Sequence, residues 1–188
     1  MYFPEKEVKL KDGRVAVLRS ARVEDAADCL EYLRVTAAET PFLLREPEEN
    51  DMTLDMEEAF LRARLEDPHT LMLIARVDGE YAGNCGLVSM GNNLRVRHRC
   101  GMGIALYQKF CNNGLGRILI ENVVEVAEKL GYELMELEVV EGNDRAKHVY
   151  ESLGFKPFGV RPHALKYKDG TYANEILMVK TLDPNKNK

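Results

Sequence analysis

A chain of 188 residues, 45% hydrophobic and 30% charged, carries enough apolar material for one buried core. Its formal net charge of −5 and the lack of a basic stripe exclude a protein that neutralises nucleic-acid phosphates in series. Met1 to Lys11 alternates charges and so is neither a signal peptide nor a membrane span, while four cysteines without CxxC spacing and four scattered histidines point to thiols in a reducing cytoplasm, not to zinc or disulfides.

Val8 to Leu10 and Val15 to Arg19 flank Asp12-Gly13, a hairpin signal. A helix is expected from Ser20 or Arg22 to about Glu39, with Ala26, Leu30, Leu33 and Ala37 on one face and Pro41 marking its end. Thr40 to Asn50 is acidic and irregular. Thr53 then reads as the N-cap of a helix from Leu54 to about Glu66, which Asp67-Pro68 stops. These two helices form either a lid over a site or plain packing.

Thr70 to Val77 is a continuous apolar strand that Asp78-Gly79 turns into Tyr81 to Met90. Gly91-Asn92-Asn93 leads on to a strand ending near Leu106, whose last part, Gly103 to Tyr107, reads as buried. The basic run Arg95, Arg97, His98 and Arg99 is either a solvated strand end or a contact for an anionic ligand. The order then changes. After the strand comes Cys111-Asn-Asn-Gly-Leu-Gly116, followed by a helix with Leu115, Ile118, Leu119, Asn122, Val123, Val126 and Leu130 at helical spacing. Gly131 caps it, and a strand from Leu134 to Val140 follows.

Such a strand-helix-strand unit implies a right-handed crossover and a parallel pair, so the sheet is mixed. The first backbone amides of its helix lack partners and sit at the positive end of the helix dipole, a seat for phosphate. Gly114 and Gly116 leave room for close approach. The alternative is a tight turn before an ordinary helix. Asn143 opens a second short helix, with Ala146, Val149, Tyr150 and Leu153 on one face and Gly154 ending it. Phe155 to Tyr167 and Tyr172 to Val179 form a closing hairpin across Asp169-Gly170, and 183–188 is a polar tail.

With these elements in this order, the chain resembles the GNAT superfamily of acetyl-CoA-dependent N-acetyltransferases. The family's phosphate loop, Arg/Gln-x-x-Gly-x-Gly/Ala, falls on Cys111 to Gly116. Its later segment, Asn-x-x-Ala-x-x-x-Tyr-x-x-x-Gly-Phe, falls on Asn143, Ala146, Tyr150, Gly154 and Phe155 without a gap. A Rossmann loop fits poorly, since its third glycine would fall at Leu119, and no Walker Gly-Lys-Ser/Thr occurs.

The resemblance implies a single domain over 1–182 of α/β class: a mixed, mostly antiparallel sheet with one splayed parallel pair and flanking helices. It implies a cytoplasmic enzyme using acetyl-CoA as co-substrate and no metal. The acceptor would be a primary amine of a small molecule or peptide, with no nucleic-acid or membrane partner, and a homodimer would form through the final hairpin. Cys111 and the backbone amides of Asn112, Asn113, Gly114, Leu115, Gly116 and Arg117 would hold the pyrophosphate. The strand at Ile104 and Leu106 would pair with the pantetheine arm, Asn143 would bind that arm, and Tyr150 would protonate the departing thiolate.

Two positions depart from the family pattern. Cys111 stands where Arg or Gln is usual, and Gly101 where many relatives carry a Glu as general base. Glu138, Glu141, Asp144, the Glu46 to Glu49 loop or a water chain would then have to serve. The acidic stretch Thr40 to Glu58 either favours a cationic acceptor or is a solvated surface. A non-catalytic acetyl-CoA sensor or interaction module on the same fold is the competing reading.

Overall fold

The computed structural model describes residues 1–49 and 51–185, so Asn50 and the last three residues of the expected tail lie outside the described residues. Eight strands form one sheet in the order β1-β2-β3-β4-β5-β6-β8-β7. They are β1 (Lys6–Lys9), β2 (Val15–Ser20), β3 (Leu71–Val77), β4 (Glu80–Ser89), β5 (Arg99–Leu106), β6 (Leu134–Val140), β7 (Lys156–Lys166) and β8 (Tyr172–Thr181). The helices are α1 (Ala26–Glu39), α2 (Leu54–Glu66), α3 (Leu115–Lys129) and α4 (Asp144–Ser152). The sheet is mixed and mostly antiparallel, as expected, with β5 and β6 as the parallel pair.

Two compact units make up the chain: Met1–Val88 with Gly103–Val123, and Ser89–Met102 with Val124–Lys188. In the first, β1 to β4 form an antiparallel meander in which Leu18, Leu73, Ile74 and Leu87 are fully buried. The turn between β1 and β2 is fixed by Asp12, whose carboxylate accepts from the Arg14 backbone N–H and guanidinium. Between β2 and α1, Asp25 receives the guanidinium of Arg19 at 2.6 and 2.7 Å and that of Arg76 at 2.7 Å. Although burial works against the charged form, these two cations and the Arg22 N–H hold its carboxyl down at about 2.

The helix α1 turns a different face inward from the one its leucines suggest. Ala26, Cys29, Tyr32 and Thr36 are the buried positions, while Leu30, Leu33 and Ala37 are half-buried. The reason lies in the sheet: Tyr32 and Cys29 pack with Leu61, Ile74 and Tyr81, and the Tyr32 hydroxyl donates to the Ala105 carbonyl at 3.0 Å. A large amphipathic ring with a hydrogen-bond partner displaces leucine from the centre of the interface. On β4, Gly83 has φ +143, and a Cβ there would lie 2.7 Å from Leu106 Cδ2 and overlap the Ala105 carbonyl. Close approach of β5 therefore requires glycine at this point.

In the second unit, β8 lies between β6 and β7, pairing antiparallel with each. The first residues of β5 pair in parallel with β6, Arg99–Gly101 against Leu134–Glu136. The ladder ends there, although β5 continues to Leu106 and β6 to Val140. The apolar run 103–106 is accordingly not the buried part of β5. Cys100 to Met102 are buried, whereas Gly103 is exposed and Ile104, Ala105 and Leu106 are half-buried. A short 3-10 turn, Gln108–Phe110, also intervenes before the glycine loop, where no break was expected.

Candidate active site

The loop before α3 is held from both sides. Its Asn113 carbonyl accepts the backbone N–H of Lys11 at 2.9 Å, and the Asn113 side-chain Oδ1 accepts the N–H of Leu115 at 3.0 Å. Asn112 and Gly114 sit at φ 64 and 91, left-handed conformations that favour asparagine and glycine. The first intrahelical bond runs from Ile118 to the Gly114 carbonyl. The backbone N–H groups of Asn112, Asn113, Gly114 and Gly116 consequently have no acceptor among the described residues. Leu115 contributes no such amide, because Asn113 takes it, and its side chain is fully buried. The Asn113 Nδ2 is also buried without a partner among the described residues.

Two glycines here are not required by the protein's own packing. A Cβ on Gly116 would meet Leu106 Cδ1 at 3.6 Å and Ile104 Cδ1 at 4.0 Å, ordinary contacts, and a Cβ on Gly103 would meet nothing within 4 Å. Glycine in a helix costs about 1 kcal/mol relative to alanine, so its presence in the first turn points to something outside the chain that comes close. The same contacts bring Ile104 and Leu106 of β5 beside the start of α3. Cys111 is half-buried, and its Sγ donates to the Tyr107 carbonyl at 3.6 Å. Arg117 pairs with Glu121 at 3.2 Å on the solvent side of α3.

In the second unit, α4 carries the two other expected residues. Asn143 is its N-cap, with Oδ1 accepting the Ala146 N–H at 3.3 Å. Tyr150 lies two turns on, 7% exposed, its ring edge-to-face with Phe155 at 6.0 Å between centroids. The two residues thus stand seven positions apart, at the cap and in the last turn of α4.

The carboxylates named as substitutes for Gly101 are engaged or exposed. Gly101 itself is buried opposite Glu136, which grips Arg99 at 2.6 and 2.9 Å. Glu138 pairs with Arg161 at 3.2 Å, Glu141 accepts from Asn174 at 2.9 Å, Glu49 accepts from the Glu46 N–H at 2.8 Å, and Asp144 is exposed. Sequence reasoning overlooked Glu57. It is 2% exposed on α2, four residues before the buried Leu61, and while its backbone N–H donates to the Thr53 carbonyl at 3.1 Å, its carboxylate makes no hydrogen bond or ion pair among the described residues. Burial raises its pKa, with Arg45 pulling weakly the other way. Its spacing from Leu61 was the available signal.

The three other thiols are buried, which pushes Cys29 and Cys100 up to about 12 and Cys85 higher still. Among the described residues, no group of three or more His, Cys, Asp or Glu is placed to hold a metal, and no helix is long and apolar enough to cross a membrane.

The profile of the acetyltransferase (GNAT) family matches residues 33–155, about two thirds of the chain. The chain belongs to the GNAT family. A GNAT-family acetyltransferase from Streptococcus pneumoniae superposes with a TM-score of 0.84 at 27% identity, over 89% of this chain and 99% of that one. A Salmonella typhimurium protein solved with its cofactor acetyl-CoA shares the GNAT fold at TM-score 0.78 and 20% identity, over 89% and 94% of the two chains. In sequence, the [ribosomal protein bS18]-alanine N-acetyltransferase of Escherichia coli (strain K12) is 37% identical over 67 residues, 36% of this chain and 45% of that protein. A Bacillus subtilis (strain 168) protein bearing a provisional form of the same name is 27% identical over 104 residues, 55% of this chain and 66% of its own. The match thus spans less than two thirds of either relative's length.

Proposed function

We propose that residues 1–182 act as one cytoplasmic domain that transfers the acetyl group of acetyl-CoA to a primary amine, most simply the N-terminal amine of a peptide or protein. The observation that carries this reading is the row of amides at Asn112, Asn113, Gly114 and Gly116 that have no acceptor among the described residues, beside glycines that the chain's own packing does not need. Four amides at the positive end of a helix suit a pyrophosphate. The two relatives named for acetylating an alanine of a ribosomal protein support a peptide acceptor.

Acetyl-CoA supplies a thioester, which only a neutral amine can attack. In this reading Gly103 to Leu106 of β5 lie along the pantetheine arm, and Asn143 offers its amide to the same arm while its Oδ1 caps α4. The Tyr150 hydroxyl delivers the proton to the leaving thiolate; positioned acids of this kind contribute on the order of 10²–10⁴-fold. Exposed Phe158 and Val160 on the edge strand β7 support a homodimer through the β7–β8 hairpin.

Thermal melting with acetyl-CoA, NADH and ATP tests the ligand, and acetyl-CoA alone is expected to raise Tm. Thiol release is then followed with an alanine-led peptide, a polyamine and an aminoglycoside. Tyr150→Phe is expected to cut turnover by about 10²-fold with the Kd for acetyl-CoA unchanged. Unaltered turnover would reduce Tyr150 to packing. The absence of a carboxylate at Gly101 favours a second reading, a binding module without turnover, and a Tm shift with no thiol release from any acceptor would select it.

A further inference from the structure

The glycine loop has a cation problem. None of Cys111, Asn112, Asn113, Gly114, Leu115 and Gly116 carries a positive charge, and a bound pyrophosphate brings at least two negative ones. The basic side chains around the loop are mostly committed. Arg117 pairs with Glu121, Lys109 with Glu80, and Arg14 with Asp12. Lys11 is different. It is exposed and takes part in no ion pair or side-chain hydrogen bond among the described residues.

The placement of Lys11 is fixed by backbone. Its N–H donates to the Asn113 carbonyl at 2.9 Å, so the hairpin of β1 and β2 is tied directly to the loop. Its side chain then lies over Gly114: a methyl group on that glycine would sit 3.4 Å from Lys11 Cγ, 3.5 Å from Cε and 3.6 Å from Cδ. The ammonium is one bond beyond Cε, so it stands at the same loop whose amides lack acceptors. The orphaned Asn113 Nδ2 belongs to the residue that anchors Lys11.

We propose that Lys11 is a cofactor-binding residue, the cation that pairs with a phosphate of the nucleotide-bearing thiol held at the start of α3. This rests on the reading of that loop as the coenzyme A seat. A compact ammonium on a flexible stem acts on phosphate as a point charge, while the methylenes packed over Gly114 limit the positions it has to search. Lys11 thereby favours coenzyme A and its thioesters over pantetheine thioesters that lack the phosphates.

The test is calorimetric binding of coenzyme A to the full chain at low and high salt, comparing wild type with Lys11→Met and Lys11→Arg. Methionine keeps most of the stem over Gly114 and removes the charge. Lys11→Met is expected to weaken binding about tenfold at low salt, with a smaller gap at high salt, and Lys11→Arg to restore most of the affinity. Lys11→Met within twofold of wild type at low salt overturns the assignment while leaving the coenzyme A seat intact. A wild type that does not bind coenzyme A overturns the seat itself.

Discussion

The start of α2 is closed by the chain's own atoms. Thr53 accepts the Met56 N–H at 3.3 Å, and Asp55 and Glu57 place two acidic residues in the first turn. The start of α4 is closed in the same way, by the Asn143 cap and by Asp144. The start of α3 has no acidic residue in its first turn, has glycine as its second residue, and keeps one cap, Asn113 to Leu115. Two helices therefore answer their own dipole and one does not. This contrast is what the proposed phosphate seat at the start of α3 rests on.

Giving α3 the acid that α2 and α4 already have should break this contrast with the largest effect. Gly116→Glu is expected to weaken acetyl-CoA binding by more than 100-fold in calorimetry, through charge repulsion and occupied space at the phosphate seat. Retained affinity would place the ligand elsewhere. Removing the cap of α2 should have a middling effect of a different kind. Thr53→Ala is expected to lower stability by about 1 kcal/mol in denaturant titration and to leave acetyl-CoA affinity untouched, because that cap serves the fold alone.

The smallest effect is expected at Glu57, and in the opposite direction. Its folded-state pKa is raised by burial, so its contribution to stability is present below the ordinary carboxylate range and is lost as pH rises through the folded value. Burial disfavours the charged form of the wild-type side chain as the pH rises. Glu57→Gln should therefore melt higher than wild type at pH 7, with the difference closing as the pH is lowered toward 4. A variant that melts lower at pH 7 would mean that the carboxylate has a stabilising partner. Asp25 shows the contrast within the same unit: buried to the same 2% exposure but gripped by Arg19 and Arg76, it is held at about 2.

Much of the backbone was legible from neighbours in the chain. Thr53 as a cap, Asp67-Pro68 as a stop, Asp78-Gly79 as a hairpin and Gly131 as the end of α3 all depend on dihedral and hydrogen-bond preferences spanning a few residues. The site motifs were legible for the same reason, since a glycine loop and an Asn-to-Tyr spacing of seven are local patterns. The inward face of α1 was not. Leu30 and Leu33 are the stronger hydrophobes, and Tyr32 prevails because it packs with Leu61, Ile74 and Tyr81 while Ala105, 73 residues later, accepts its hydroxyl.

By itself, then, the sequence determined where the strands and helices lie, which helix opens on glycine, and which family the chain resembles, because each of these follows from short-range geometry. Tertiary structure alone decided that Lys11 lies over Gly114, that Leu115 loses its amide to Asn113, and that the Glu57 carboxylate is buried without a partner among the described residues while that of Asp25 is buried between two. Charge and burial act through space, and the residues that set them here can stand more than a hundred positions apart in the chain, as Lys11 and Asn113 do.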